Sequence, residues 1–172
     1  LINGDFSNGL NGWGGDVISY DINGGTDVNA FDVNFADYTS NYSTSINSVT
    51  LTTSSDQNNE YWAVYLFQQF EVAANAALLS LEFDALVDDA FADYTFVNLV
   101  DENGDLLHDF SIDGLTADIS GLSGSLVSLE FGVEDGSFFY GDYLTVSNIS
   151  ISSVPVPEPT TFAIFALALA GL

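Results

Sequence analysis

The sequence predicts an all-β chain, with a single antiparallel β-sandwich over residues 1–153. Two observations carry this. Turn signals recur at short intervals: Asn3-Gly4, Asn8-Gly9, Asn11-Gly12, Asn23-Gly24-Gly25, Asn103-Gly104, Asp113-Gly114 and Asp135-Gly136. Between them lie short alternating or apolar runs of strand length, and no segment holds a sustained 3.6-residue period. Many short strands with Gly-rich turns in one domain fit a sandwich.

In chain order, strands are expected at 61–70, 78–87, 94–100, 106–112, 126–133 and 143–151. The clearest hairpin joins 96–100 to 106–110 across a turn at 101–105. The Ala-containing stretch 72–79 reads as a loop. Residues 38–59 are rich in Ser, Thr and Asn, and on an exported protein such hydroxyl-rich segments suit O-glycan attachment. Residues 154–160 carry Pro155, Pro157 and Pro159, which exclude a helix and would interrupt a central strand. They form an extended linker reaching roughly 15 Å. Residues 161–172 are apolar, but as a helix would span only about 18 Å, short of a hydrocarbon core near 30 Å.

Charge excludes whole classes of function. The 172 residues include 25 Asp and Glu and no Lys or Arg, a formal net charge of −25 at pH 7. An average composition would supply roughly 20 basic residues. Without them the chain cannot neutralise nucleic-acid phosphates, form a P-loop or a pyridoxal Schiff base, or supply an arginine finger or a polybasic membrane patch. The absence of Cys excludes disulfides, thiolate metal sites and thiol nucleophiles. Cations, neutral glycans and further copies of the chain remain as partners. With 47% hydrophobic residues there is ample material for one core.

Two resemblances sharpen this picture. Val156-Pro157-Glu158-Pro159 followed by an apolar segment resembles the PEP-CTERM sorting tail of exported bacterial proteins, although the arginine cluster that ends such tails is absent before Leu172. It implies an extracellular or cell-surface location in a Gram-negative-type bacterium. The opening residues, Asn3-Gly4-Asp5-Phe6 through Gly12-Trp13, resemble the start of jelly-roll domains of the galactose-binding-like, carbohydrate-binding-module-like kind. Gln68-Gln69-Phe70 with Leu81-Glu82-Phe83-Asp84, the run Asp118-Ile119-Ser120-Gly121-Leu122, and Val146-Ser147-Asn148-Ile149 resemble later strands of the same family. That likeness implies a jelly roll, a core role for Trp13, and a cation place where Asp5 meets the last strand near Asn148.

The candidate site residues are few. His108 is the single histidine and sits in a strand, so no Ser/His/Asp arrangement can be assembled and no catalytic residue is assigned. Asp88-Asp89, Asp101-Glu102 and Glu134-Asp135 read as solvated turn carboxylates. Asp101, Asn103 and Asp105 share the opening spacing of a calcium loop without its glycine and distal Glu, and a hairpin turn also explains them. No cofactor is required, and Ca²⁺ is the ion these oxygens would take. Tyr61 and Trp62 are the expected sugar-stacking pair. Asn41 and Asn148 head sequons.

Two functions follow. The main expectation is an extracellular structural subunit. Phe162, Ile164, Phe165, Leu167 and Leu169 would pack into a neighbouring copy, giving a homopolymer or surface matrix. The alternative is a cell-surface carbohydrate-binding module with the tail as a sorting signal. An enzyme is not expected.

Overall fold

The computed structural model describes residues 1–21, 28–53, 60–88, 92–136 and 141–154. The linker beyond Val154 and the apolar segment with Phe162, Ile164, Phe165, Leu167 and Leu169 lie outside the described residues.

Eleven strands are described. They are β1 (Gly14–Asp21), β2 (Val28–Ala30), β3 (Tyr42–Ser45), β4 (Ser48–Thr52), β5 (Glu60–Glu71), β6 (Ala76–Leu86), β7 (Tyr94–Asp101), β8 (Leu106–Asp109), β9 (Thr116–Asp118), β10 (Leu126–Asp135) and β11 (Tyr143–Ser153). One sheet runs β2-β1-β5-β10-β7-β8 and the other β3-β4-β11-β6-β9. All their pairings are antiparallel. The expected sandwich is therefore the fold.

The core follows from period-two alternation. Val127, Leu129, Phe131 and Val133 of β10 point inward with Val64, Leu66 and Phe70 of β5 and with Val97 and Leu99 of β7. Val49, Leu51, Leu79, Leu81, Leu144 and Val146 meet them from the second sheet. The N-terminal loop closes one end. Trp13 is buried, stacks on Phe6 at 5.3 Å and touches Phe131 at 5.5 Å, as its core role requires. The buried Gln68 fastens that loop: its Nε2 donates to the carbonyls of Ile2 and Gly12, both at 2.9 Å, and its Oε1 accepts from the Ile2 N–H.

The structure corrects several expectations. Residues within 38–59 supply β3 and β4, because Val49 and Leu51 alternate with hydroxyl residues and are fully buried. The Thr50 and Thr145 hydroxyls meet across strands at 2.8 Å. The stretch read as a loop at 72–79 already enters β6 at Ala76. Glu134 and Asp135 are not turn residues: they end β10 and are buried, at 6% and 0% exposure. The 96–110 hairpin forms as expected, with Asn98 opposite Asp109 and Leu99 opposite His108.

Truncating Phe131 to Ala removes a fully buried ring on the central strand and should lower the unfolding free energy by about 3–5 kcal/mol in urea titration. Ile46→Ala, at 81% exposure, should stay within about 0.5 kcal/mol. Equal effects would contradict this core.

Candidate functional site

The same alternation that sends Leu129 and Phe131 inward sends Ser128, Glu130, Gly132 and Glu134 outward. Register then fixes their neighbours. Glu130 lies between Phe67 and Asn98, Gly132 between Tyr65 and Phe96, and Glu134 between Ala63 and Tyr94. On β1, Gly14 pairs with Phe67 and Asp16 with Tyr65. The outer face of the six-stranded sheet thus gathers Tyr65, Phe67, Tyr94 and Phe96 around Asp16, Glu130 and Glu134.

Two glycines let those rings lie on the sheet. A Cβ on Gly132 would stand 2.1 Å from Phe96 Cε1 and 2.8 Å from Tyr65 Cδ1. A Cβ on Gly14 would stand 2.6 Å from Phe67 Cε2. Each ring therefore occupies the space a side chain would take on the next strand, and the Tyr65 and Phe96 centroids are 5.9 Å apart. The rings and carboxylates border a depression of about 360 Å³ lined by Asp16, Tyr65, Phe67, Phe96 and Glu130.

The electrostatics are unusual because no base is available. Glu134 is buried by its aromatic neighbours and accepts a hydrogen bond from the Tyr65 hydroxyl. Burial, with the hydrogen bond to Glu134 and its charge, pushes the Tyr94 phenol up to about 12. Tyrosine hydroxyls do here what Lys or Arg does elsewhere.

The sequence candidates are placed as follows. Trp62 is half-buried and packs against the core, so it does not share the outward face with Tyr65 and Phe67. The Tyr61 side chain lies outside the described residues. Asp101 Oδ1 accepts from the N–H groups of Asn103 and Asp105, both at 2.8 Å, and its Oδ2 from Asn103 Nδ2 at 3.1 Å. Its oxygens close the β7–β8 turn, and these hydrogen bonds hold the Asp101 carboxyl below its ordinary pKa. Among the described residues the Asp5 and Asn148 backbones are linked only through Asn47. Asn47 N–H donates to the Asp5 carbonyl at 2.8 Å, and Asn148 N–H to the Asn47 carbonyl at 3.0 Å. The Asp5 carboxylate instead accepts from the Ser7 N–H and hydroxyl, which hold its pKa down. Asn41 is buried with its Nδ2 donating to the Thr52 carbonyl at 3.0 Å, a position where a glycan would have to break into the sheet. Asn148 is exposed, and its Nδ2 donates to Glu82 at 2.8 Å. His108 contacts the Gly114 carbonyl at 2.7 Å and meets Phe110 edge-on at 4.6 Å. A separate carboxylate group, Asp88, Asp93 and Asp142, lies at the end of the sandwich near Tyr94.

The outward aromatic face was missed in the sequence. Its rings come from two segments about 30 residues apart, β5 and β7, and only the pairing of Tyr65 and Phe96 with Gly132 of β10 brings them together.

No protein-family model matches the chain, and no curated protein matches it significantly. Among solved structures the fold is similar to that of TmCBM61 in complex with β-1,4-galactotriose. The TM-score is 0.51 with 12% identity, over 90% of this chain and 97% of that one. It is also similar to part of a β-glucosidase from Kluyveromyces marxianus in complex with glucose (TM-score 0.38, 14% identity, 90% of this chain, 17% of that one). A third likeness is to the enzymatically active domain of bacteriophage CBA120 tailspike protein 4 (TM-score 0.40, 12% identity, 90% of this chain, 21% of that one). The first likeness places the sandwich beside that of a carbohydrate-binding module.

Replacing Glu134 by Gln removes the charge that opposes phenolate formation. Ultraviolet difference titration should then show a tyrosine moving from about 12 towards 10. Superimposable titration curves would contradict the described pairing.

Proposed function

We propose that the protein binds a neutral glycan on the outer face of its six-stranded sheet. The observation that carries this reading is the set of rings Tyr65, Phe67 and Phe96, laid across Gly132 and Gly14 beside Asp16 and Glu130. Sugars are recognised by this combination. Their C–H faces stack on aromatic rings, and their hydroxyls donate to carboxylates in charge-assisted hydrogen bonds. Asn98, opposite Glu130, adds a group that both donates and accepts. The likeness to a module solved with a galactose trisaccharide supports the same class of ligand.

The ligand is a neutral sugar chain because the face has no cation and the chain carries −25. Uronic-acid or sulfated glycans would be repelled. The composition and the sorting-tail resemblance fit display at a bacterial cell surface. The head-to-tail polymer expected from Phe162, Ile164, Phe165, Leu167 and Leu169 draws on segments outside the described residues, and the described sandwich adds no support to it.

Affinity electrophoresis and calorimetry with neutral β-linked oligosaccharides, β-1,4-galactotriose first, test the reading. Phe67→Ala and Phe96→Ala should each weaken binding by about tenfold, roughly 1.4 kcal/mol. Their circular dichroism should stay that of the parent, and polygalacturonate should not bind. Unchanged affinity in both variants would overturn the assignment.

A further inference from the structure

The end of the sandwich beyond Glu134 holds a second group of acids that the glycan face does not use. One carboxylate oxygen each from Asp88, Asp93 and Asp142 lies within 4.8 Å of the others. They come from three places brought together by the sheets: Asp88 just after β6, Asp93 just before β7 and Asp142 just before β11. Asp93 and Asp142 are buried, at 4% and 0% exposure. The fully buried Asp135 adds a fourth charge acting on Asp142.

The backbone holds this group in place. The Gly136 N–H donates to Asp93 Oδ1 at 2.8 Å, and the Asp88 N–H to Asp142 Oδ1 at 3.0 Å. The other Asp142 oxygen, Oδ2, is buried and takes no hydrogen bond among the described residues. Nor does the buried hydroxyl of Thr53, whose N–H donates to the Asp142 carbonyl at 3.1 Å. Two buried oxygens without a hydrogen-bond partner among the described residues, beside clustered carboxylates, make an oxygen-rich site. Left to itself, burial and the charges of Asp93, Asp135 and Asp88 push the Asp142 carboxyl up to about 7. In most proteins a Lys or Arg would answer such a group, and this chain has none.

We infer that Asp88, Asp93 and Asp142 bind a divalent cation of the Ca²⁺ class, which joins β6, β7 and β11 at this end of the sandwich. All the available donors are oxygens, several are carboxylates, and their sources are separate chain segments, which is the ligand chemistry that Ca²⁺ accepts. A cation bound by the folded arrangement alone stabilises the fold by mass action. This is a different place from the Asp101–Asp105 turn and from Asp5, whose carboxylates are committed to turn N–H groups.

Chelator-treated protein titrated with CaCl₂ tests the inference, by calorimetry and by thermal unfolding at constant ionic strength. The parent should show saturable binding and a melting temperature that rises with CaCl₂ and falls back with EDTA. Asp88→Asn, at an exposed position, should weaken Ca²⁺ binding at least tenfold while melting no lower than the parent without calcium. Asp142→Asn should behave alike, whereas Asp101→Asn should bind as the parent does. No saturable heat and no thermal shift in the parent would overturn the site, leaving shared protons as the answer to these charges. So would an equal shift in all four proteins, which would mark general screening of the −25 charge.

Discussion

No side chain in this molecule can pair with a carboxylate as Lys or Arg would, and much of its local structure answers that constraint. With 25 acidic residues and no basic ones, every carboxylate must be solvated, capped by N–H and O–H groups, or gathered around something from outside. Exposed acids take the second course repeatedly. Asp5, Asp101, Asp109 and Asp118 each accept from a backbone N–H two residues ahead, and so close turns. The Asp105 N–H above all for Asp101, the Ser120 hydroxyl and N–H for Asp118, and the Ser7 N–H and hydroxyl for Asp5 hold these three carboxyls below the ordinary aspartate pKa. The resulting stability is present above the unfolded-state pKa and is lost as acid protonates the folded carboxylates. Buried acids need more: Glu134 takes a tyrosine hydroxyl, while Asp142 Oδ2 takes no hydrogen bond among the described residues.

The glycan face grows from the same source. Tyr65 reaches Glu134 only because Gly132 leaves room beside it, and that room also admits Phe96. A β-branched residue, the usual choice in a central strand, would stabilise the ladder and erase the platform. Gly132 thus exchanges strand propensity for a flat aromatic surface, while Leu129, Phe131 and Val133 on the inward side keep the strand in the core. At the far end, Gln68 and Trp13 fasten the N-terminal loop, leaving a second depression of about 500 Å³ that includes Leu10, Asn11, Phe35 and Thr44. Among the described residues that depression has no carboxylate in its lining, which separates it chemically from the sheet face.

The sandwich was readable because five of its six longest strands, β5, β6, β7, β10 and β11, carry large apolar residues at alternate positions between turn signals, whereas the sixth, β1, was not read. β3 and β4 were not, since Val49 and Leu51 are their main apolar inward residues and the intervening Ser and Thr look like a solvated segment. Asp135-Gly136 marks the end of β10, but Asp135 is the buried last residue of that strand and not a solvated turn carboxylate. Tyr61-Trp62 was a natural choice for a stacking pair, but Trp62 packs against the core. The platform residues could not be assembled from the sequence because their proximity is a matter of cross-strand register. The outward Phe67, Phe96 and Gly132 carry no local mark of belonging together.

The central claim is that recognition resides on the sheet face and not at the loop ends. Backbone amide shifts of isotopically labelled protein, titrated with β-1,4-galactotriose, test it most directly. The account predicts saturable changes centred on Phe67, Phe96, Glu130 and Gly132, with Asp16 and Asn98 at the margin. Changes confined to Asn11, Phe35 and Thr44, or none at saturating sugar, would contradict it.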